Sequence, residues 1–273
     1  MEKIKIPRGD ALVVYQFEGP WDKGVSALKS KGLDAITLRD LAEARILGGA
    51  NSSVSTRWTW VAENFNYDKD DILIASREFS PLLQYPVEAT ECHRQGKEFY
   101  LSPNDTEKLR RAASSDVNQA MKFGVLLLKR SKILSDIPVE AFGEEDVTSF
   151  LFRDKAKEYG RFLKENGIKN VPLYVVDKAY VQKQAFSRAL WAYCLYVNSA
   201  LNGDDNLDSN SGRVSGVRRR GEPEGRATAP QAPRAVSGLV ASTLEQVLAL
   251  SKKFPEDISR KEFEEQLKTI YRG

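Results

Sequence analysis

Apolar positions near the start of the chain recur first at the period of a strand and then at that of a helix. Lys3-Ile4-Lys5-Ile6 and Ala11 to Phe17 are rich in β-branched and apolar residues. The turn sequence Pro7-Arg8-Gly9-Asp10 separates them and Gly19-Pro20 follows, so two strands are predicted. Leu38, Leu41, Ala42 and Ile46 then repeat at helical spacing behind Thr37, a good N-cap, and Gly48-Gly49 supplies the stop. Beyond it, Val54, Thr56, Trp58, Trp60 and Ala62 alternate with their neighbours at the period of a strand. Asp68 to Asp71 divides that run from Ile72-Leu73-Ile74-Ala75, which predicts a long hairpin. Pro86 to Gln95, closed by Gly96, reads as a short helix. A strand at Glu98 to Leu101 follows, and Ser102-Pro103 opens a further helix.

The next segment predicts a βαβ unit. Val147 to Phe152 is read as a strand, Asp154 to Asn166 as a helix burying Ala156, Tyr159, Phe162 and Leu163, and Val171 to Val176 as a second, parallel strand. A long helix from about Lys178 to Ala200 is expected next, its second half apolar nearly all round and therefore in the core. From Asn202 the chain turns to Gly, Asp, Ser, Asn, Pro and Arg, with almost no large apolar residue until Leu239, a composition that predicts a flexible insert. Ser242 with Glu245 and Ser259 with Glu262 both have capping-box spacing and predict two short helices, the second with an apolar stripe of Phe263, Leu267 and Ile270.

The expected fold class is therefore α+β or α/β: a mixed sheet with a C-terminal βαβ unit and long helix, a disordered insert and a short helical tail. The divisions are a mixed α/β region over 1–140, the βαβ unit and buried helix over 141–202 (one body with 1–140, or separate from it), the insert over 203–241 and the tail over 242–273.

Composition narrows the function classes. Two cysteines, Cys92 and Cys194, lie far apart with no C-x-x-C spacing, which argues against a disulfide framework or a zinc site and fits a reducing compartment. The N-terminus lacks the apolar stretch of a secretory signal. The apolar run Ala189 to Val197 is under half the length that crosses a bilayer, so a cytoplasmic protein with no membrane partner is expected. The net charge of +3 is spread along the chain, with 20 basic and 20 acidic residues in 1–140, and by itself points weakly to nucleic acid.

Within the insert, Arg213, Arg218, Arg219, Arg220, Arg226 and Arg234 form an arginine cluster, and guanidinium forks on a flexible chain gather phosphates without a preformed pocket. Arg57 beside Trp58 and Trp60 adds a second nucleic-acid candidate, since an Arg and aromatics on a strand stack bases, although paired aromatics on one strand face more often fill a core. Other constellations fail. Gly48 to Ser53 follows a helix rather than opening one and cannot aim amides at a phosphate. Cys92 and His93 are adjacent, so their side chains diverge and make no nucleophile–base pair, and with one histidine in the chain a multi-histidine metal site is excluded. Asp204 to Gly212 carries oxygen ligands but misplaces the glycine and the closing glutamate of a calcium loop. Glu144-Glu145-Asp146 reads as an acidic turn.

The leading functional expectation is a non-catalytic nucleic-acid-associated protein using Arg57, Arg213, Arg218, Arg219, Arg220 and Arg226. An alternative is an enzyme acting on an anionic or phosphorylated substrate at the carboxyl ends of the 147–152 and 171–176 strands, where Arg153, Asp154, Asp177 and Lys178 follow immediately. Asp154 and Asp177 also suit plain helix caps. A third is a protein-interaction subunit whose 242–273 helices meet a partner protein. No cofactor and no metal are called for.

Overall fold

The computed structural model describes residues 2–4, 12–181, 184–195 and 199–219. It is an α+β structure in which helices pack against a large mixed sheet. In chain order the strands are β1 (Glu2–Ile4), β2 (Leu12–Glu18), β3 (Asp34–Ala35), β4 (Thr59–Asp68), β5 (Asp71–Ala75), β6 (Phe99–Tyr100), β7 (Ala113–Ser114), β8 (Val125–Lys129), β9 (Asp136–Pro138), β10 (Asn170–Tyr174), β11 (Phe186–Ala192), β12 (Leu201–Asp205) and β13 (Arg213–Arg219). The helices are α1 (Trp21–Lys29), α2 (Leu38–Gly48), α3 (Ser53–Thr56), α4 (Pro81–Gln84), α5 (Pro86–Arg94), α6 (Pro103–Ala112), α7 (Val117–Phe123), α8 (Asp146–Phe152) and α9 (Ala156–Glu165).

The main strand order is β1-β2-β13-β4-β11-β12-β10-β9. At its centre, β4 is buried at every position and long enough to serve three neighbours. Trp60 pairs with Val214 of β13 in parallel, the strand runs antiparallel to β11 along its length, and Asn64 to Asp68 turns back against β5. That last pairing is the expected hairpin, reversed at Lys69, a non-glycine residue with φ 48°. The strand starts later than its alternation predicts, because Ser52 accepts from the Ser55 amide and caps the short helix α3.

Several local readings agree with the structure because their signals are chemical rather than merely apolar. Thr37 accepts from the Asp40 amide and caps α2, which Gly49 ends at φ 76°. Ser102 caps α6 through the Asp105 amide, and Gly96, at φ 66°, follows α5.

Three elements are corrected. Residues 147–152 form helix α8, not a strand: Glu145 accepts from the amides of Val147 and Thr148, and the apolar run behind that cap buries Val147, Phe150, Leu151 and Phe152. A short, mostly apolar run fits a buried strand or a buried helix equally by pattern, and the cap decides. There is accordingly no βαβ unit here. Strand β10 is antiparallel to β9 and parallel to β12. Second, the expected 178–200 helix contains strand β11, which lies between β4 and β12. A strand paired on both edges and covered on both faces has the same continuous apolar composition as a buried helix. Third, the segment read as insert supplies β12 and β13. Strand β13 is central, paired with β2 over Arg213 to Arg219 and with β3 and β4 as well. Its small residues allow close packing: a Cβ on Gly216 would lie 2.4 Å from Leu28 of α1. Composition misses this strand because its apolar residues are only Val214 and Val217, which are buried, and the rest of its hold is main-chain pairing. The rest of the insert, 220–241, and the two predicted tail helices lie outside the described residues.

The largest cluster of buried side chains gathers Phe65, Tyr67, Ile72 and Ile74 of the hairpin with Phe142, Phe150, Phe152, Tyr159 and Leu163. A second is built around tryptophans. Trp60 meets Trp191 edge-on at 4.8 Å and Trp21 at 6.1 Å, and Trp58 meets Trp191 at 5.4 Å. Trp60 is fully buried, while Trp58, just outside β4, is 36% exposed.

Candidate functional site

The segment from Leu201 to Arg213 crosses the tryptophan cluster in a pinned conformation. Leu201, Gly203, Leu207 and Gly212 are buried. Tyr67 donates its hydroxyl to the Gly203 carbonyl at 2.7 Å, the Leu207 amide donates to His93 Nδ1 at 3.0 Å, and the Leu207 carbonyl accepts from the Trp21 amide at 3.0 Å. The Gly212 carbonyl accepts from the Gly19 amide at 2.8 Å. Gly212 is needed there, since a Cβ would stand 1.9 Å from the Trp60 ring. Between these anchors the side chains are short and polar: Asp204, Asn206, Asn210 and Ser211 are exposed, and Asn202, Asp205, Asp208 and Ser209 are half-buried.

Electrostatics beneath this face explain how it is held. Arg188 of β11 donates to Glu98 at 2.5 Å and to Asn206, and lies 3.7 Å from Asp204. Burial pushes the Asp205 carboxyl up to about 6, opposed by the hydrogen bond it accepts from the Trp60 indole at 2.8 Å. His93 is buried, which lowers its pKa to about 4, with the Arg188 charge acting in the same direction. It is therefore neutral near pH 7, accepts at Nδ1 and carries its proton on Nε2. Its visible role is to hold Leu207, and Cys92 takes no part.

The arginine candidates are distributed. Arg57 donates to Glu2 at 2.6 Å and to Gln16 at 3.0 Å. Arg213 pairs with Glu18 at 3.2 Å and stacks over Trp58 at 5.7 Å. The structure thus gathers Arg57, Trp58 and Arg213 at one end of the sheet. Arg218 is roughly 16 Å further along the same strand at about 3.3 Å per residue, where it lies over Tyr15 and donates to the Lys31 carbonyl. The backbone of Arg219 pairs with Leu12. Arg220 and Arg226, like Arg234, lie outside the described residues.

The four alternative-site residues separate into two surroundings. Asp177 caps a turn by accepting from the Ala179 amide, and Lys178 pairs with Asp70 of the β4–β5 turn. Asp154 instead receives a two-pronged bond from Arg39 at 2.9 and 3.0 Å, which holds its carboxyl below the usual range. Arg153 lines a polar cleft of about 660 Å³ together with Thr37, Arg39, Asp40, Glu63, Arg77 and Lys122. Among the described residues no hydrogen bond or ion pair joins the Asp177 pair to the Arg153 pair. With 147–152 helical, the strand-end geometry assumed for an enzyme site is absent at that position.

Pattern reading missed Glu63, Arg77 and Lys122 in the cleft and the whole Asn202 to Ser211 face. Glu63 did leave a trace, as the one carboxylate between Trp60 and Tyr67 in an otherwise buried strand. The face was hidden because its composition is that of a loop.

No family model matches the chain, and no curated protein matches it. Mixed-sheet α+β architecture with a face of polar loops is the class that the geometry defines. Within that class the chain is similar to a solved structure described as "Accommodation of massive sequence variation in Nanoarchaeota by the C-type lectin fold". The two are 18% identical with a TM-score of 0.60, over 78% of this chain and 100% of that one. The likeness is one of fold.

Proposed function

We propose that this chain is a non-catalytic recognition module that binds a partner protein through the Asn202 to Ser211 face. The observation that carries the reading is the division of labour in that segment, where buried anchors at Leu201, Gly203, Leu207 and Gly212 and the Asp205–Trp60 bond fix the backbone while Asp204, Asn210 and Ser211 are exposed to solvent. Side chains that contribute little to the scaffold are available for contact, and loops on a rigid frame are where binding residues concentrate. Support also comes from the similar structure, whose description attributes accommodation of massive sequence variation to this fold. A frame whose backbone is pinned largely by main-chain bonds and buried residues is the physical requirement for such tolerance.

The chemistry of the face favours protein over nucleic acid. Asp204, Asp205 and Asp208 repel phosphate, while Arg57, Arg213 and Arg218 already engage acceptors or rings of the chain itself. Short amide, hydroxyl and carboxylate groups beside aromatic rings suit the mixed polar contacts of protein–protein recognition.

A display library randomised at Asn202, Asp204, Asp208, Ser209, Asn210 and Ser211, selected against an unrelated folded protein, tests this. Most clones should stay folded and binders should emerge; a matched library at Glu107, Lys108 and Arg111 should give none. Clones that unfold, or equal yields from both libraries, would count against the reading. A salt-dependent titration with single- and double-stranded nucleic acid tests the competing partner, and steeply salt-sensitive binding would favour it.

A further inference from the structure

The cleft around Glu63 is a separate feature with its own chemistry. Its walls are the start of α2 (Thr37, Arg39, Asp40), the bend after β5 (Ser76 to Phe79), the end of α7 (Met121 to Gly124) and Arg153 behind α8, with Glu63 of β4 among the lining side chains. A volume of about 660 Å³ lies in the range of small-molecule sites.

Charge in the cleft is not balanced pair by pair. Arg39 is satisfied by Asp154, by Glu43 at 2.5 Å and by Asp40 at 3.3 Å. Arg77 is held only loosely, 3.5 Å from Asp34 and 3.7 Å from Glu78. Arg153 donates one nitrogen to the Met121 carbonyl at 2.8 Å and lies over the Phe150 ring, and Lys122 lies over the Phe123 ring. Among the described residues, neither Arg153 nor Lys122 has a carboxylate within ion-pairing distance. Arg153 also occupies φ 54°, ψ −131°, a backbone region that side-chain-bearing residues rarely adopt. Such outliers persist where the surrounding structure holds them and concentrate at binding sites. Glu63, in turn, is a buried carboxyl group held by the Leu38 amide at 3.1 and 3.3 Å and by its own main-chain amide. In its neutral form that group also has a proton to donate.

We propose that this cleft binds a small organic molecule bearing an oxyanion, with the anionic group between Arg153 and Lys122 and an uncharged polar atom hydrogen-bonded to Glu63. Carboxylate and phosphate share this chemistry, since guanidinium and ammonium groups bind both with charge-assisted bonds. The site uses none of the Asn202 to Ser211 side chains, so the two can fail independently.

The test is calorimetric titration of the full chain with malonate and, separately, inorganic phosphate, at constant ionic strength set with sodium chloride. Saturable binding of at least one probe is expected, and the preferred probe identifies the anion class. Lys122→Gln, which alters an exposed side chain, and Arg153→Gly, which removes the guanidinium while suiting the backbone angle, should each weaken binding by about tenfold or more. Lys164→Gln, remote on α9, should leave it unchanged. Absence of saturable binding by both probes, or unchanged affinity in both cleft variants, would overturn the proposal.

Discussion

Glu63 shows how one buried carboxyl group makes stability depend on pH. Burial raises its pKa from 4.5 to about 8, against the hydrogen bonds that favour the charged form. Between those values the folded chain holds a proton that the unfolded chain sheds, so stability falls as pH rises from about 4.5 through 8. Glu63→Gln, isosteric and unable to ionise, should match the wild type near pH 4 and exceed it at pH 8.5, by on the order of a few kcal/mol. Chemical denaturation at both pH values measures this, and parallel pH profiles for the two proteins would refute it. Gly212 is a steric counterpart. A methyl group 1.9 Å from the Trp60 ring cannot be absorbed without displacing either the ring or the β12–β13 connection. Gly212→Ala should cost about 2 kcal/mol or more and alter near-UV circular dichroism from the tryptophan cluster; a spectrum and melting temperature like the wild type's would contradict the packing.

Among the elements, those marked by specific chemistry were legible and those marked only by apolar content were not. Thr37, Ser102 and the glycines at 49 and 96 are terminal signals that act within one turn, and the elements they bound agree with the sequence pattern. Thr37 illustrates the energetic scale, with its hydroxyl accepting from the Asp40 amide at 3.1 Å and donating to the Asp40 carboxylate at 2.9 Å. Thr37→Ala should cost about 1 kcal/mol, read from the denaturant midpoint with an unchanged slope; no shift in midpoint would mean that packing alone holds the start of α2. Residues 147–152 and 186–192, by contrast, are both largely apolar and buried, yet one is a helix and the other a strand. Glu145 distinguishes the first, and only partners from elsewhere in the chain distinguish the second. The candidate site shared this asymmetry. Arg153 was visible as a charged residue beside an apolar run, but its companions Glu63, Arg77 and Lys122 come from three other elements.

Across the whole molecule, the central strands come from distant parts of the sequence. Strand β13 joins residues 213–219 to 12–18 on one edge, and β11 joins 186–192 to 59–67. Pairings of such long range imply a single cooperative unit and slow folding. Native-state hydrogen exchange should therefore give the interior amides of β2, β4, β11 and β13 the same, slowest opening free energy. A separately opening β13 would instead make it an appended strand. The pairing of β13 with β2, β3 and β4 thus makes the last described strand part of the core, although its own composition is that of a linker.

By itself the sequence determined the α+β class, the β4–β5 hairpin, the limits of α2 and α5 and the start of α6, and that a multi-histidine metal site cannot form with one histidine, because each rests on interactions within a few residues or on residue counts. Tertiary structure alone decided that β11 is a strand, that β13 lies at the centre of the sheet, that Arg57 and Arg213 flank Trp58 while Arg218 stands apart, and that Glu63 shares a cleft with Arg153. Those outcomes depend on main-chain partners and burial supplied from distant parts of the chain, and no local pattern carries that information.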